Sequence, residues 1–149
     1  MDGLFTLIAF LLGFIIAQVV KCVILLIQAK KRQGKINFSQ VMRQLVKSGG
    51  MPSGHAASFT AATLYLGLSQ GFTSPIFALS ACITLIVIYD AINVRYAVGE
   101  QGKILAQLIK KQKYILPKPQ IIEGHTISQV IVGALIGLIV GWLVFIVFY

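Results

Sequence analysis

The stretch LFTLIAFLLGFIIAQVVKCVILLI, residues 4–27, is almost continuously apolar. A helix needs about 20 mainly apolar residues to cross a hydrocarbon core about 30 Å thick. Three further stretches meet or approach this requirement: residues 56–72, 75–94 and 127–149. A short Gly/Ser/Pro turn separates the second from the third, so these two should form an antiparallel hairpin. The sequence predicts an all-α membrane protein with four transmembrane helices in one polytopic domain, residues 1–149.

The composition excludes an ordinary soluble domain. Hydrophobic residues make up 57% of the chain and charged residues 11%, against about 45–50% and about 25% in soluble proteins. Thirteen Lys and Arg against four Asp and Glu give a net charge of +9, which indicates an anionic partner. A mean hydropathy of +0.86 leaves little polar surface for nucleic acid. We therefore expect anionic or phosphorylated lipid as the partner, and no nucleic acid.

The basic residues lie on one side of the predicted topology. Eleven of them fall in the two long connections: Lys30, Lys31, Arg32, Lys35, Arg43, Lys47, Lys103, Lys110, Lys111, Lys113 and Lys118. Lys21 and Arg95 lie near the span ends that lead into these connections. Since basic loops remain in the cytoplasm, we expect a multi-pass cell-membrane protein with both connections cytoplasmic and both termini outside.

Both connections also show helical periodicity. In each, apolar residues form one face and polar or basic residues the other, with Val41, Met42, Leu45 and Val46 in the first and Ile104, Leu105, Leu108 and Ile109 in the second. Such helices suit the headgroup region of a bilayer. We predict cytoplasmic interfacial helices at both places.

The fourth span carries a stripe of small residues. Gly133, Gly137 and Gly141 recur every four positions, a spacing that lets another helix approach closely. The spacing leaves open whether that helix belongs to the same chain or to a second copy. A homodimer through these glycines is one expectation.

Candidate chemistry begins in KSGGMPSGH, residues 47–55, which leads into the second span. Pro52 suits the first turn of a helix, where it has no N–H to leave unsatisfied, and the preceding glycines let the backbone bend around a ligand. Free amides of Ser53 and Gly54 at such a helix start would bind an anion. A capped helix start that happens to include His55 is the alternative.

Other polar groups share this predicted depth. His55 and His125 both follow a glycine at a cytoplasmic helix start. Asp90 lies one to two turns inside the third span, where an isolated carboxylate would cost roughly 2.5–3.5 kcal/mol. It should therefore pair with Arg95, Lys47 or a histidine, and a purely structural ion pair is the alternative.

These groups would suffice for phosphoryl transfer through a phosphohistidine. The reaction needs a nucleophilic histidine, an acid for the leaving group, a carboxylate that orients the nucleophile and cations around the oxygens. The residues that could ligate a metal, His55, His125, Asp90 and Glu123, show no close ligand spacing. We expect neither a metal nor a cofactor.

At these residues the sequence resembles the type 2 phosphatidic acid phosphatase superfamily, in a divergent, shorter branch. The resemblance rests on residues 48–55, 89–95 and 124–126. It implies a helical membrane phosphatase, related to haloperoxidases, that needs no metal for phosphate hydrolysis. It also implies that His55 corresponds to the histidine that protonates the leaving group and His125 to the one that attacks phosphorus.

Two positions differ from the superfamily pattern. Gln129 stands four residues after His125, where the pattern has an aspartate, and Pro119 stands six before it, where the pattern has an arginine. We expect Asp90 to replace the orienting carboxylate. Lys47, Arg43, Arg95 or Lys118 would replace the cation.

The resulting hypothesis is a membrane phosphatase that hydrolyses a lipid phosphate or pyrophosphate at the cytoplasmic face. Its predicted catalytic residues are His125, His55 and Asp90, and its predicted substrate-binding residues are Lys47, Ser53, Gly54, Arg95 and Arg43. The alternative, favoured by Gln129 and Pro119, is a catalytically silent membrane protein that binds anionic lipid or a partner subunit.

Overall fold

The computed structural model describes residues 2–31, 49–112 and 124–149. These residues form five α-helices and one π-helical turn: α1 (Asp2–Lys31), α2 (Gly54–Gln70), α3 (Pro75–Tyr89), the π turn (Asp90–Val94), α4 (Arg95–Gln112) and α5 (Ile127–Phe148). The described residues include no β-strand. The predicted all-α class is confirmed. Arg43, Lys47, Lys118, Pro119 and the helix predicted in the first connection lie outside the described residues.

Within the described part of the chain, three helical segments are long and apolar enough to cross a membrane: Asp2–Lys30, Pro75–Lys111 and Ile127–Phe148. They cover the first, third and fourth predicted spans. The second predicted span forms α2, whose 17 residues give a length of about 25 Å. It is not among the membrane-length helices, so the structure supports three of the four predicted spans.

Helix α2 lies at the centre of the bundle and packs against α1, α3 and α5. The residues that it buries are mostly small, including Ala56, Ala57, Ala61 and Ala62. Small side chains let helix backbones approach closely, which gives van der Waals contact where lipid supplies no hydrophobic drive. Tyr65 is the large exception, and it is fully buried.

The glycine stripe of α5 packs on α2 of the same chain. A Cβ added to Gly133, Gly137 or Gly141 would come well within 3.0 Å of a backbone oxygen of Ser53, Ala57 or Ala61, respectively. The stripe is therefore covered within the chain. The sequence left open which helix packs on this stripe, and here it is α2 of the same chain. The homodimer stays a prediction.

The helix directions follow from contacts at the two ends of the bundle. At one end the Gln70 amide donates to the Asp2 carboxylate over 2.7 Å, and the rings of Phe5 and Phe148 stack. At the other end the Ser53 N–H donates to the Gln129 carbonyl over 3.0 Å. Helix α1 is thus antiparallel to both α2 and α5. The glycine- and histidine-containing segments meet at the end opposite the chain termini.

Helices α2 and α3 form the predicted antiparallel hairpin. Hydroxyl groups join them: Thr63 Oγ1 lies 2.6 Å from Ser80 Oγ and 2.8 Å from Thr84 Oγ1. Thr84 also donates to the Phe59 carbonyl. These hydrogen bonds satisfy hydroxyls that would be costly to leave unpaired in hydrocarbon.

Helix α3 continues into α4 through the π turn without a break. The sequence predicted a span that ends near residue 94 and a separate interfacial helix after it. The amphipathic helix does exist, but it is the direct extension of the third span. No proline or glycine pair interrupts residues 90–100, so the helical hydrogen bonds continue.

Candidate functional site

A cavity of about 380 Å³ lies between α2, the end of α3 and the segment before α5. Four residues that the sequence singled out line it: His55, His125, Asp90 and Arg95. The rest of its wall is apolar and consists of Phe59, Ile86, Val87 and Ala91. Its volume is in the range of small-molecule sites, about 300–1,000 Å³. The fold thus brings together groups that lie as far apart as residues 55 and 125.

The start of α2 is fixed by its cap. Ser53 precedes the helix as N-cap, and its hydroxyl oxygen accepts from the Ala56 N–H. Pro52 therefore lies before the cap, not in the first turn as predicted. The Ser53 N–H donates to the Gln129 carbonyl, so it is not the free anion-binding donor that the sequence predicted.

Gly54 has a packing role in this structure. A Cβ at this position would come 3.1 Å from the Phe14 ring of α1. The absence of a side chain lets α1 and the first turn of α2 approach each other. Its predicted contact with substrate stays a proposal.

His55 lies in the first turn of α2 with its side chain exposed at the cavity. Partial burial lowers the pKa of His55, the positive charge of Arg95 lowers it further, and the charge of Asp90 opposes both effects. These surroundings therefore favour the neutral form of His55. A bound dianion would favour the protonated form.

The π turn brings Asp90 and Arg95 together. Two residues five positions apart on an α-helix lie about 140° apart around the axis, since each residue turns about 100°. A π turn is wider: here the Arg95 N–H bonds to the Asp90 carbonyl five residues earlier. The side chains then lie on one side, and Arg95 Nε is 2.5 Å from Asp90 Oδ2. The expected pairing with Arg95 is confirmed.

The segment before α5 is tied to the same turn. The His125 N–H donates to the Ala91 carbonyl over 3.1 Å. A Cβ on Gly124 would lie well within 3.0 Å of the Tyr96 backbone. Only glycine allows this approach, which explains why a glycine must precede His125.

The imidazole of His125 is buried and oriented through Nδ1. This atom lies 3.1 Å from the Gly50 carbonyl oxygen and 3.3 Å from Gln129 Oε1. Since both oxygens can only accept, Nδ1 carries the proton and Nε2 of the neutral ring keeps its lone pair. That tautomer is the one in which Nε2 can act as a nucleophile.

Burial is the main cause that lowers the pKa of His125. The hydrogen bonds to Gln129 and Gly50 raise it, and the charges of Lys21 and His55 lower it. The result keeps the ring neutral at neutral pH. A neutral ring is what nucleophilic attack requires.

Gln129 occupies the place of the superfamily aspartate. Its side-chain oxygen accepts from the Thr126 N–H over 3.1 Å, which caps α5, and it also faces His125 Nδ1. Asp90 pairs with Arg95. The prediction that Asp90 orients His125 is therefore replaced: Gln129 and the Gly50 carbonyl make the hydrogen bonds to its Nδ1.

One contributor was missed at the sequence level. Lys21 of α1 is buried, and its ammonium group donates to the Gly49 carbonyl over 2.6 Å. From the sequence alone, Lys21 counts only toward the orientation of the chain in the membrane. The sequence does contain an indication of such a role, because a lysine inside an apolar helix is a functional candidate by default.

The described part of the chain holds no group of three or more His, Cys, Asp or Glu residues placed to bind a metal ion. Arg95 lines the cavity beside the Asp90 carboxylate, and Lys21 lies beneath the loop that contains Gly49.

The family model described as "Divergent PAP2 family" matches residues 4–140. The chain belongs to the Divergent PAP2 family. The resemblance to a divergent branch of the phosphatidic acid phosphatase superfamily is thus confirmed. The matched range contains every described residue of the site.

A relative in Bacillus subtilis (strain 168), the "Uncharacterized membrane protein YuiD", is 36% identical over 105 residues. The match covers 70% of this chain and 61% of that protein, so this member of the Divergent PAP2 family corresponds to less than two thirds of its relative's length. Together with the apolar helices, this relative supports a membrane location. No solved structure matches the chain.

Proposed function

We propose that the protein is a membrane phosphatase that removes a phosphoryl group from a lipid phosphate or pyrophosphate through a phosphohistidine. The observation that carries the proposal is the cavity in which His55 and His125 meet beside the Asp90–Arg95 pair. Membership of the Divergent PAP2 family supports it.

The first chemical step would use Nε2 of His125. Its lone pair attacks phosphorus, the N–P bond forms and the bond from phosphorus to the lipid oxygen breaks. The proton on Nδ1 stays shared with Gly50 and Gln129, which stabilises the positive charge that develops on the ring. Protonated His55 gives its proton to the departing lipid oxygen.

The second step would release phosphate. Neutral His55 accepts a proton from water as the water oxygen attacks phosphorus, and the N–P bond breaks. His125 returns to its neutral form, and His55 is protonated again for the next cycle. The two steps together convert lipid phosphate and water into lipid alcohol and phosphate.

The oxygens of the transferred group need cations. Arg95 supplies one at the cavity, and its pairing with Asp90 holds the guanidinium in place. Arg43 and Lys47 remain proposed phosphate ligands, together with the Gly54 amide. A planar guanidinium suits a phosphate because it can donate two parallel hydrogen bonds.

The surroundings favour a substrate with an apolar chain. A groove of about 440 Å³ along the outer face of α3 is lined by Leu85, Ile86, Ile88, Tyr89 and Ile92. The groove shares Ile86 with the cavity that both histidines line. A lipid could lay its chain along α3 with its phosphate at Arg95. Two such lipids are a phosphatidate, which is a phosphate ester, and a prenyl pyrophosphate, which contains a phosphoanhydride. Together they represent both proposed substrate types.

We further propose that the site faces the cytoplasm, with both termini outside and α2 as the fourth membrane crossing. The one-sided distribution of Lys and Arg supports this orientation. Helix α2 is antiparallel to α1 and α3, and its partners shield it on several sides. A short helix shielded in this way needs less lipid-facing apolar surface of its own.

Phosphate release by purified protein tests the proposal. The wild type should hydrolyse at least one lipid of a panel that contains both substrate types, and His55→Ala and His125→Ala should each lose most of that activity. Asn93→Ala is a matched control, because Asn93 is exposed on the π turn and does not line the cavity. Salt-sensitive lipid binding with no turnover by the wild type would instead support the catalytically silent alternative.

A further inference from the structure

Lys21 is a charged residue within the apolar helix α1. Its side chain is only 7% exposed, on a segment of membrane-spanning length. A lysine at such depth is costly, and it is tolerated where it serves a partner inside the protein. Its neighbours therefore indicate what it does.

The ammonium group of Lys21 lies beneath the loop that precedes α2. It donates to the Gly49 carbonyl over 2.6 Å. Gly49 and Gly50 both have left-handed backbones, with φ of 95° and 84°, which glycine adopts without strain. A Cβ at Gly50 would be only 3.0 Å from Lys21 Cε, so the glycine lets the loop lie close against the lysine.

The same loop contacts His125. The Gly50 carbonyl, one peptide beyond the one that Lys21 holds, is 3.1 Å from His125 Nδ1. The two carbonyls lie in adjacent planar peptide units that are joined at Gly50 Cα. By holding the first unit, Lys21 limits where the second unit, with the Gly50 carbonyl, can lie. A continuous series of contacts thus runs from Lys21 through Gly49 and Gly50 to His125.

We propose that Lys21 is a positioning residue for His125: by holding the Gly49 carbonyl, it fixes the Gly50 carbonyl where it accepts the Nδ1 proton and leaves Nε2 free. Its consequence for catalysis rests on the proposed function. The hydrogen-bonded arrangement itself does not, and it can be tested separately.

Lys21 also acts on His125 through its charge. Among the described residues, the other charged or titratable groups at the site are His55 of α2 and the Asp90–Arg95 pair of the π turn, whereas α5 contributes the neutral Gln129. The charge of Lys21 lowers the pKa of His125. Loss of this charge alone should therefore raise that pKa.

The experiment compares Lys21→Met, Lys21→Arg and wild type by NMR of protein labelled with ¹⁵N-histidine in detergent micelles. The ring nitrogen shifts report the tautomer and the pKa of each histidine. We expect His125 of the wild type in the Nδ1–H tautomer. Lys21→Met should mix the tautomers of His125, and Lys21→Arg should restore the Nδ1–H form. Loss of the Lys21 charge raises the pKa of His125 and loss of the Gly50 hydrogen bond lowers it, so the tautomer is the deciding measurement. His55 is an internal reference, because Arg95 and Asp90 are the charges that act on it.

Lys30→Met is the matched control, since Lys30 lies on the same helix with an exposed side chain. It should leave His125 unchanged. If Lys21→Met leaves the tautomer of His125 unchanged, or if Lys30→Met changes it equally, the proposal is overturned. The Lys21→Arg variant also shows whether the site stays folded when the lysine is replaced.

Kinetics separates this proposal from the proposed function. With an active lipid substrate, Lys21→Met should lower kcat by about 100-fold, as expected for a misplaced reacting group, with little change in KM. A wild type without activity on any lipid would contradict the proposed function. The NMR comparison would still decide whether Lys21 positions His125.

Discussion

Arg95 Nε lies 2.5 Å from Asp90 Oδ2, across a single π-helical turn. On an α-helix, side chains five residues apart would lie on different faces. The wider π turn places these two on one side, where they form an ion pair at the wall of the cavity. Both side chains remain partly exposed, at 46% and 37%. The pair is therefore suited to present a cation to a ligand and contributes little to stability.

Arg95→Gln should lower lipid phosphate turnover by about 100-fold, the scale of losing one group that stabilises transition-state charge. The free energy of unfolding of this variant should differ from that of the wild type by less than about 1 kcal/mol, because the ion pair is solvent-exposed. Lys103→Gln is the control: Lys103 pairs with Glu100 at similar exposure on the same continuous helix. Equal losses of turnover in the two variants would contradict a phosphate-binding role for Arg95.

Gln129→Asp should raise the pKa of His125. A carboxylate that accepts the Nδ1 proton stabilises the imidazolium form, whereas the present amide oxygen is neutral. The acidic limb of the kcat/KM profile should then move to higher pH. Ser128→Asp adds the same charge one residue away, on an exposed side chain, and should cause a smaller shift. If the two variants shift the profile alike, Gln129 has no specific bond to His125.

Gly137→Ala should destabilise the bundle by about 1–3 kcal/mol, the usual cost of overpacking, because its Cβ would strike the Ala57 backbone. Unfolding in detergent measures this, with Gly3→Ala as the control, since a Cβ at Gly3 meets nothing within 4 Å. The oligomeric state, followed by light scattering, should not change. If Gly137→Ala instead abolished a dimer and left the stability of the monomer unchanged, the glycine stripe would be an interface between chains.

The free energy of unfolding should fall as the pH drops below about 6.5. Folding lowers the pKa of both His55 and His125 from 6.5, so the unfolded chain binds more protons in the range between the lowered values and 6.5. Above 6.5 both states are neutral and the stability from this source is complete. His125→Gln should flatten the decline, which denaturation curves from pH 8 to pH 5 would show. A decline as steep as that of the wild type would assign it to other groups.

Cysteine labelling tests the proposed orientation. In a Cys22→Ser, Cys82→Ser background, Thr73→Cys in the α2–α3 turn should react with an impermeant reagent on intact cells. Gln101→Cys on α4 should react only after permeabilisation. Both side chains are exposed in the fold, so access depends on the membrane alone. Labelling of both positions in intact cells would contradict a crossing by α3.

Several features of the fold were predictable because they depend on local sequence. The apolar runs predicted the first residues of α1, α2, α3 and α5 to within two positions, and the Ser/Gly/Pro turn predicted the hairpin of α2 and α3. The pairing of Asp90 with Arg95 was expected from the cost of an isolated carboxylate. The length and apolarity of a helix are properties of its own residues.

The bonds that organise the site were not predictable in the same way. The Ser53 N–H is used by Gln129, and His125 Nδ1 meets Gly50 and Gln129, while Asp90 remains with Arg95. Each of these hydrogen bonds depends on which group another segment of the fold places within hydrogen-bonding distance. No periodicity in the sequence encodes the π turn that aligns Arg95.

The sequence by itself determined that this chain is an apolar, helical member of the Divergent PAP2 family, with its cations and both histidines near the same predicted membrane face. Only the tertiary structure decided which groups touch: α2 covers the glycine stripe, and Lys21 lies beneath the loop that orients His125. The length of an apolar run and the charges beside it are properties of one segment, so they can be read from its own residues. A hydrogen bond acts over about 3 Å, so it exists only once packing has fixed both partners.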